Sequence, residues 1–291
     1  MNTAVERLPG DLLVYRTKDG LLMNGLLFRE RNGNKAVVIS VFGMVSDFFS
    51  APRDYALIRE LKGCGTDVFL AGNRGIGSVF PFDKNGKTVF LGTAREKFTD
   101  CVLDVGAAVN VAFKIGYRKI ILMGHSTGCQ KSVYYLYRTK DRRVKGLILL
   151  GPAGDYDVLR RDLKQKLPQA VRIAKNMIKH GKKDEITPRW VSYYTPQRFL
   201  SYAVGTNPEA RIFNYDSEMK EFRTVKCPIL AVFGEKEQWA TKPIKEHIKI
   251  LKNATNSKSF SAAVVKGGDH SFTGKEKGLA KVVTGWVERN N

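Results

Sequence analysis

Apolar residues along this chain fall into two patterns that alternate. Short, nearly unbroken runs occur at Ala36–Val41, Val68–Ala71, Ile120–Met123, Val144–Leu150, Ile229–Phe233 and Phe260–Val265. Runs of that length and character predict strands buried on both faces of a parallel sheet. Between them the apolar positions recur at helical spacing. Tyr55, Ile58 and Leu61 mark a helix over Pro52–Lys62, and Val102, Val105, Val109, Ala112 and Phe113 mark a second. Further helices are predicted over Cys129–Arg138, Thr241–Lys252 and Gly274–Arg289, the last carrying Leu279, Val282, Val283 and Trp286. Ahead of the first run, Asp11–Thr17 and Leu21–Glu30 flank Lys18-Asp19-Gly20 and read as a β-hairpin, with a further turn at Asn32-Gly33-Asn34. Strands and helices in alternation predict an α/β fold with right-handed crossovers.

Two stretches depart from this rhythm. Asn73–Lys97 is a long Gly-rich loop, of a length that marks functional loops. Gly154–Val225 lacks any clear parallel strand. It reads as helices Val158–Lys166 and Gln169–His180, with Pro168 suited to a first helical position and Gly181 to a C-cap. Trp190, Tyr193, Tyr194, Phe199 and Tyr202 follow, as pocket lining or as core of this segment.

Composition narrows the class. The hydrophobic content is 43%, enough to bury a core. No apolar run approaches the ~18 residues of a membrane span, and Met1–Gly10 has no apolar stretch of the signal-peptide kind. Four cysteines, at 64, 101, 129 and 227, form no Cys-x-x-Cys pair, so a reducing cytoplasm is expected and no zinc site is. The net charge of +21 raises the question of nucleic acid. The basic residues are scattered, with pairs such as Lys182-Lys183 rather than tracts, so a solvated basic surface is expected and no nucleic-acid partner.

The chemistry concentrates at Gly124-His125-Ser126-Thr127-Gly128, which follows the Ile120 strand and precedes the Cys129 helix. A Gly-x-Ser-x-Gly string in a strand–turn–helix setting presents the serine at the strand's C-terminal end, beside the free N–H groups of a helix N-terminus. A serine nucleophile needs a base, and the chain has 4 His. His125 lies within the turn and is expected to point away from where Ser126 faces, His180 closes a helix, and His247 lies mid-helix. His270, in Gly267-Gly268-Asp269-His270, follows the Phe260 strand and is the candidate base. The orienting acid is expected at another strand end: Glu237 after the Ile229 strand, with Asp155 after the Val144 strand in reserve.

The order Ser126, Glu237, His270, together with the turns at Gly124–Gly128, Gly234–Glu237 and Gly267–His270, resembles that of α/β-hydrolase-fold serine hydrolases over roughly residues 10 to 290. The longer string Gly124–Gln130 is similar, more narrowly, to a fungal branch that includes hydrolases of siderophore esters. The resemblance implies a mostly parallel central sheet flanked by helices, with a helical cap inserted after the sixth strand. Residues 1–153 and 226–291 would then form the core, and 154–225 the cap. It implies oxyanion donors at the backbone N–H groups of Met44 and Thr127, and a small-molecule ester, thioester or lactone as substrate, with no metal or cofactor. Two positions depart from the family pattern: Phe42-Gly43 stands where His-Gly is frequent, and Glu237 where Asp is. Arg160, Arg161, Lys164, Lys166, Arg172, Lys175 and Lys179 make the first two cap helices basic. They read as a wet outer face, or as a surface that draws an anionic or amphiphilic substrate. Acyl transfer at the same site, and a basic binding protein that keeps the fold without the activity, are the rival functions.

Overall fold

The computed structural model describes residues 7–29, 35–49, 52–186 and 193–290. The turn expected at Asn32–Asn34 and the side chain of Trp190 lie outside the described residues. First comes a hairpin of β1 (Asp11–Arg16) and β2 (Leu22–Phe28), followed by β3 (Ala36–Val41), α1 (Pro52–Gly63) and β4 (Asp67–Ala71). A second hairpin pairs β5 (Phe80–Lys84) with β6 (Lys87–Leu91). Then come α2 (Cys101–Ile115), β7 (Lys119–His125), α3 (Thr127–Thr139) and β8 (Val144–Leu150). Helices α4 (Asp155–Leu163), α5 (Leu167–Lys179), α6 (Pro196–Ala203), α7 (Pro208–Ile212) and α8 (Lys220–Arg223) precede β9 (Ile229–Gly234). The chain continues through α9 (Ile244–Ala254), β10 (Phe260–Val265) and α10 (Glu276–Arg289).

Eight strands form one sheet in the order β1-β2-β4-β3-β7-β8-β9-β10. The pairings β1–β2 and β2–β4 are antiparallel, and those from β4 to β10 are parallel. Every residue of β3, β4 and β9 is buried, which is why these strands read as unbroken apolar runs. Alternate residues serve opposite layers. Val37, Ile39, Ile120 and Leu122 pack with α2 and α3, whereas Val38, Ile121 and Met123 pack with α1 and α10. Helices α4 to α8 follow β8, the sixth strand of this sheet in chain order. They have an apolar cluster of their own, built from residues such as Leu159, Leu167, Ala174, Phe199 and Tyr202.

The stretch expected as an open loop at Asn73–Lys97 contains the β5–β6 hairpin. Its turn is Asn85-Gly86, with φ of 52° and 82°, the two positive values a tight two-residue hairpin requires. Phe80, Phe90 and Val79 remain exposed on it, so its strands lack the buried alternation that marks a strand in sequence.

A cluster of buried charges joins this loop to the inserted helices. Lys131 on α3 donates to Glu96 at 2.8 Å and to Asn73 at 3.1 Å. Arg198 on α6 forms a two-pronged pair with Glu209 on α7, at 2.6 and 2.8 Å, and its Nε donates to the Thr93 carbonyl. Arg198 also faces Glu96 at 3.6 Å, and all four charged side chains are at most 1% exposed. Removing one member of such a network strands its partners' charges out of water, at about 3–5 kcal/mol. Arg198→Met is therefore expected to lower Tm by roughly 5–15 °C in a thermal melt. A melt within about 2 °C of the wild type would show that apolar packing serves this position equally well.

Candidate active site

The elbow at Ser126 is strained in the way its sequence requires. Ser126 has φ 55° and ψ −131°, a conformation that costs a non-glycine residue free energy. A β-carbon on Gly124 would collide with the backbone of Gly128, and one on Gly128 with the Val41 carbonyl. Both positions thus need glycine for strand and helix to approach this closely. The turn is held to the neighbouring strand by the Ser126 N–H, which donates to the Leu150 carbonyl at 3.0 Å. Thr127 is the first residue of α3, so its N–H has no acceptor within the helix.

The loop after β3 lies directly over this turn. A β-carbon on Gly43 would sit 2.8 Å from the His125 carbonyl oxygen, 2.9 Å from Ser126 Cβ and 3.2 Å from the Thr127 nitrogen. Phe42-Gly43 therefore brings Met44 to the rim of the serine, although no histidine precedes the glycine.

His270 stands in the loop after β10 and meets Glu237, which follows β9. Its Nδ1 lies 2.8 and 2.9 Å from the two carboxylate oxygens. A ring nitrogen between two acceptors carries the proton, so Nδ1–H donates to Glu237 and Nε2 keeps its lone pair. Both side chains are buried. The pair is braced from several sides: the Trp239 N–H donates to Glu237 at 3.1 Å, and the His270 N–H donates to the Gln238 side chain at 3.0 Å. Beneath it lies Gly151, with φ +56°, where a β-carbon would stand 2.9 Å from His270 Nδ1 and 3.0 Å from Glu237 Oε2. Only glycine leaves room there. The signal in the sequence is a glycine immediately after an apolar strand, which also has blander explanations.

The other carboxylates near this site have other partners. Asp155 accepts from Gln130 Nε2 at 3.0 Å and from the Thr127 hydroxyl at 3.3 Å, so it meets the elbow helix rather than the imidazole. Burial pushes the Asp155 carboxyl up to about 7, with the Glu209 charge acting in the same direction. The residue is half-buried and lines the cavity described below. Glu235 accepts from the Gly267 N–H, and Asp269 from the Thr273 N–H.

The remaining histidines divide. His180 is exposed, its Nδ1 against the Asn176 carbonyl at 2.8 Å. His247 is buried, stacked on Tyr215 with ring centroids 4.0 Å apart, and burial lowers its pKa to about 4. His125 does not point away from the site as expected. Its Nε2 lies 2.9 Å from the His270 carbonyl, its ring centroid is 4.8 Å from that of His270, and it lines the same cavity as Ser126. With the proton on Nε2 it donates to that carbonyl and fixes the His270 loop, while burial holds its own pKa far below the usual histidine range.

Ser126 and His270 line one cavity of about 420 Å³, whose wall also includes Met44, Thr127, Tyr194 and Trp239. Among the described residues no hydrogen bond joins the Ser126 hydroxyl to the imidazole; such contacts tighten when substrate arrives. Tyr194 and Tyr202 belong both to this wall and to the apolar cluster of the inserted helices, so they are pocket and core at once. Tyr193 is 68% exposed and belongs to neither.

Three solved structures share this architecture over nearly the whole chain. A complex of DcsB with its substrate analogue superposes with a TM-score of 0.72 at 15% identity, covering 97% of this chain and 99% of that one. Est1E from Butyrivibrio proteoclasticus, with ferulic acid bound, gives 0.66 at 16% identity, covering 95% and 98%. A soluble variant of monoglyceride lipase from Saccharomyces cerevisiae, with a substrate analogue, gives 0.65 at 15% identity, covering 100% and 97%. Among curated proteins no sequence match is found. Residues 91–288 match the family described as "Protein of unknown function (DUF1749)".

Proposed function

Because the chain belongs to the DUF1749 family and has the α/β-hydrolase fold, we propose that it is a serine hydrolase of carboxylic esters, with thioesters and lactones as related substrates. The observation that carries this reading is the buried His270–Glu237 pair facing the cavity that Ser126 lines. In the reaction, the Ser126 hydroxyl attacks the ester carbonyl while His270 Nε2 takes its proton. Glu237 holds the imidazole in the tautomer that leaves Nε2 free and stabilises the imidazolium as it forms. The N–H groups of Met44 and Thr127 receive the oxyanion. His270 returns the proton to the departing alcohol, leaving an acyl group on Ser126. A water, deprotonated by the same nitrogen, then releases the acid.

Residues 154–225 act as a cap over a core of residues 1–153 and 226–291. Its two first helices turn Leu159, Leu167 and Ala174 inward, while Arg160, Arg161, Lys164, Lys166, Arg172, Lys175 and Lys179 are exposed, which favours the wet outer face over a role in drawing anionic substrate. The chain has four free thiols, and no helix among the described residues is long and apolar enough to cross a membrane. The free thiols support a cytoplasmic setting.

A fluorophosphonate probe tests the reading. We expect one covalent adduct, mapped to Ser126 by mass spectrometry, and loss of labelling in Ser126→Ala. An unlabelled protein would favour the non-catalytic rival. Product analysis with added alcohol separates the other rival, since an acyltransferase would form the new ester in preference to free acid.

A further inference from the structure

The cavity beside Ser126 is acidic within a protein of net charge +21. Among the described residues no lysine or arginine lines it, while Asp155 and Asp162 do. Asp162 sits at the exposed rim and pairs with its neighbour Arg161 at 2.8 Å. Asp155 lies deeper and differs. Its two hydrogen-bond donors, Gln130 and Thr127, are neutral, and among the described residues no lysine or arginine nitrogen lies within the 4.0 Å of an ion pair. Arg198, whose charge reaches it from a distance, is committed to Glu209.

A second group in the same wall lacks a partner. Tyr202 is 4% exposed, and its hydroxyl has no hydrogen-bond partner among the described residues. Asp155 and Tyr202 line the same cavity. A half-buried acid without a counter-ion and a buried hydroxyl without a bond are both costly, and each is explained when a ligand supplies what is missing. What satisfies both is a compact cation with several N–H donors. The place is also defined. Thr127 offers its N–H at the oxyanion position, and its hydroxyl touches Asp155. A group held by Asp155 therefore sits next to the carbonyl under attack.

We propose that Asp155 and Tyr202 form an ammonium subsite, and that the substrates are esters bearing an amine near the scissile carbonyl. This rests on the serine-hydrolase reading above. Asp155 pairs with the ammonium, and the Tyr202 oxygen accepts a further hydrogen bond from it. An approaching ammonium also favours the ionised carboxylate, whose proton burial otherwise helps to retain.

The test compares ethyl esters of ω-amino acids with those of the matching ω-hydroxy acids, alkanoates and dicarboxylic half-acids, at several chain lengths. At the best length, kcat/KM for the amino ester should exceed that for the alkanoate by roughly tenfold or more, with the half-acid ester slowest. Asp155→Asn should reduce the amino-to-alkanoate ratio by roughly tenfold, and Tyr202→Phe by a smaller factor. Because each ratio is taken within one variant, a reduced fraction of folded enzyme cancels. A wild-type ratio at or below one at every length overturns the subsite, as does a ratio unchanged in Asp155→Asn. Hydroxy esters matching amino esters would overturn the assignment of charge. Alkanoate turnover that disappears in Ser126→Ala, without amino preference, sinks the subsite alone. No Ser126-dependent turnover of any ester sinks the hydrolase reading and the substrate assignment with it.

Discussion

Ser126→Ala is expected to fold as the wild type does and to lose ester hydrolysis by roughly 10³-fold or more. The loss is large because, in the proposed reaction, the Ser126 hydroxyl makes the covalent bond. Cys129 is fully buried one turn further along α3, with its thiol directed to the Gly124 carbonyl at 3.2 Å. Stability should change little, since the serine contributes to the fold through its N–H bond to Leu150, which alanine retains. Its positive φ remains strained in alanine as in serine, so no relief or added penalty of more than a few tenths of a kcal/mol is expected. The measurement is kcat/KM on one ester for both proteins, with matched thermal melts. Activity equal to the wild type in the purified variant would remove Ser126 from the mechanism.

Glu237→Gln is expected to fold and to lose about 10²- to 10⁴-fold in kcat. The carboxylate now accepts from His270 Nδ1 with both oxygens, which commits the ring proton to that side. A glutamine presents one oxygen and one NH₂ group. Where the NH₂ faces Nδ1, the imidazole shifts its proton to Nε2 and the lone pair that should receive the Ser126 proton is lost. The charge that would stabilise the imidazolium is lost as well. The side chain keeps its size above Gly151 and can still accept from the Trp239 N–H, so the loop should hold its shape. Asp155→Asn, assayed in parallel on a neutral ester, should lose far less, because Asp155 contacts Thr127 and Gln130 and not His270. If Asp155→Asn is the crippled variant, the orienting acid is Asp155.

The order of elements was legible because burial on both faces leaves an unmistakable local mark. In β3, β4 and β9 every residue is buried, so each appears as an apolar block whatever its neighbours are. The elbow was legible for a related reason: Gly124 and Gly128 answer clashes with backbone within a few residues or with the adjoining strand, and a short string records them. His270 and Glu237 could be named because strand C-terminal ends converge in a parallel sheet, so topology does the work of proximity. Where strands lay on the surface, as in the β5–β6 hairpin, the mark was absent and the stretch read as a loop.

The chain by itself therefore determined the layered α/β plan, the strand–turn–helix setting of Ser126 and the strand ends that carry Glu237 and His270. Tertiary structure alone decided which groups meet. Lys131, Arg198, Glu96 and Glu209 read as ordinary surface charges, yet they converge, buried, from four separate segments. Gly151 reads as a strand-ending glycine, yet it is the floor under His270 and Glu237. His125 is adjacent to Ser126 in sequence, and its partner is the His270 carbonyl, 145 residues away. The physical reason is common to all three. Periodicity reports how an element meets water, which is a property of the element itself. The identity of a buried partner depends on crossover and loop geometry, set by the packing of the whole sheet and its helices.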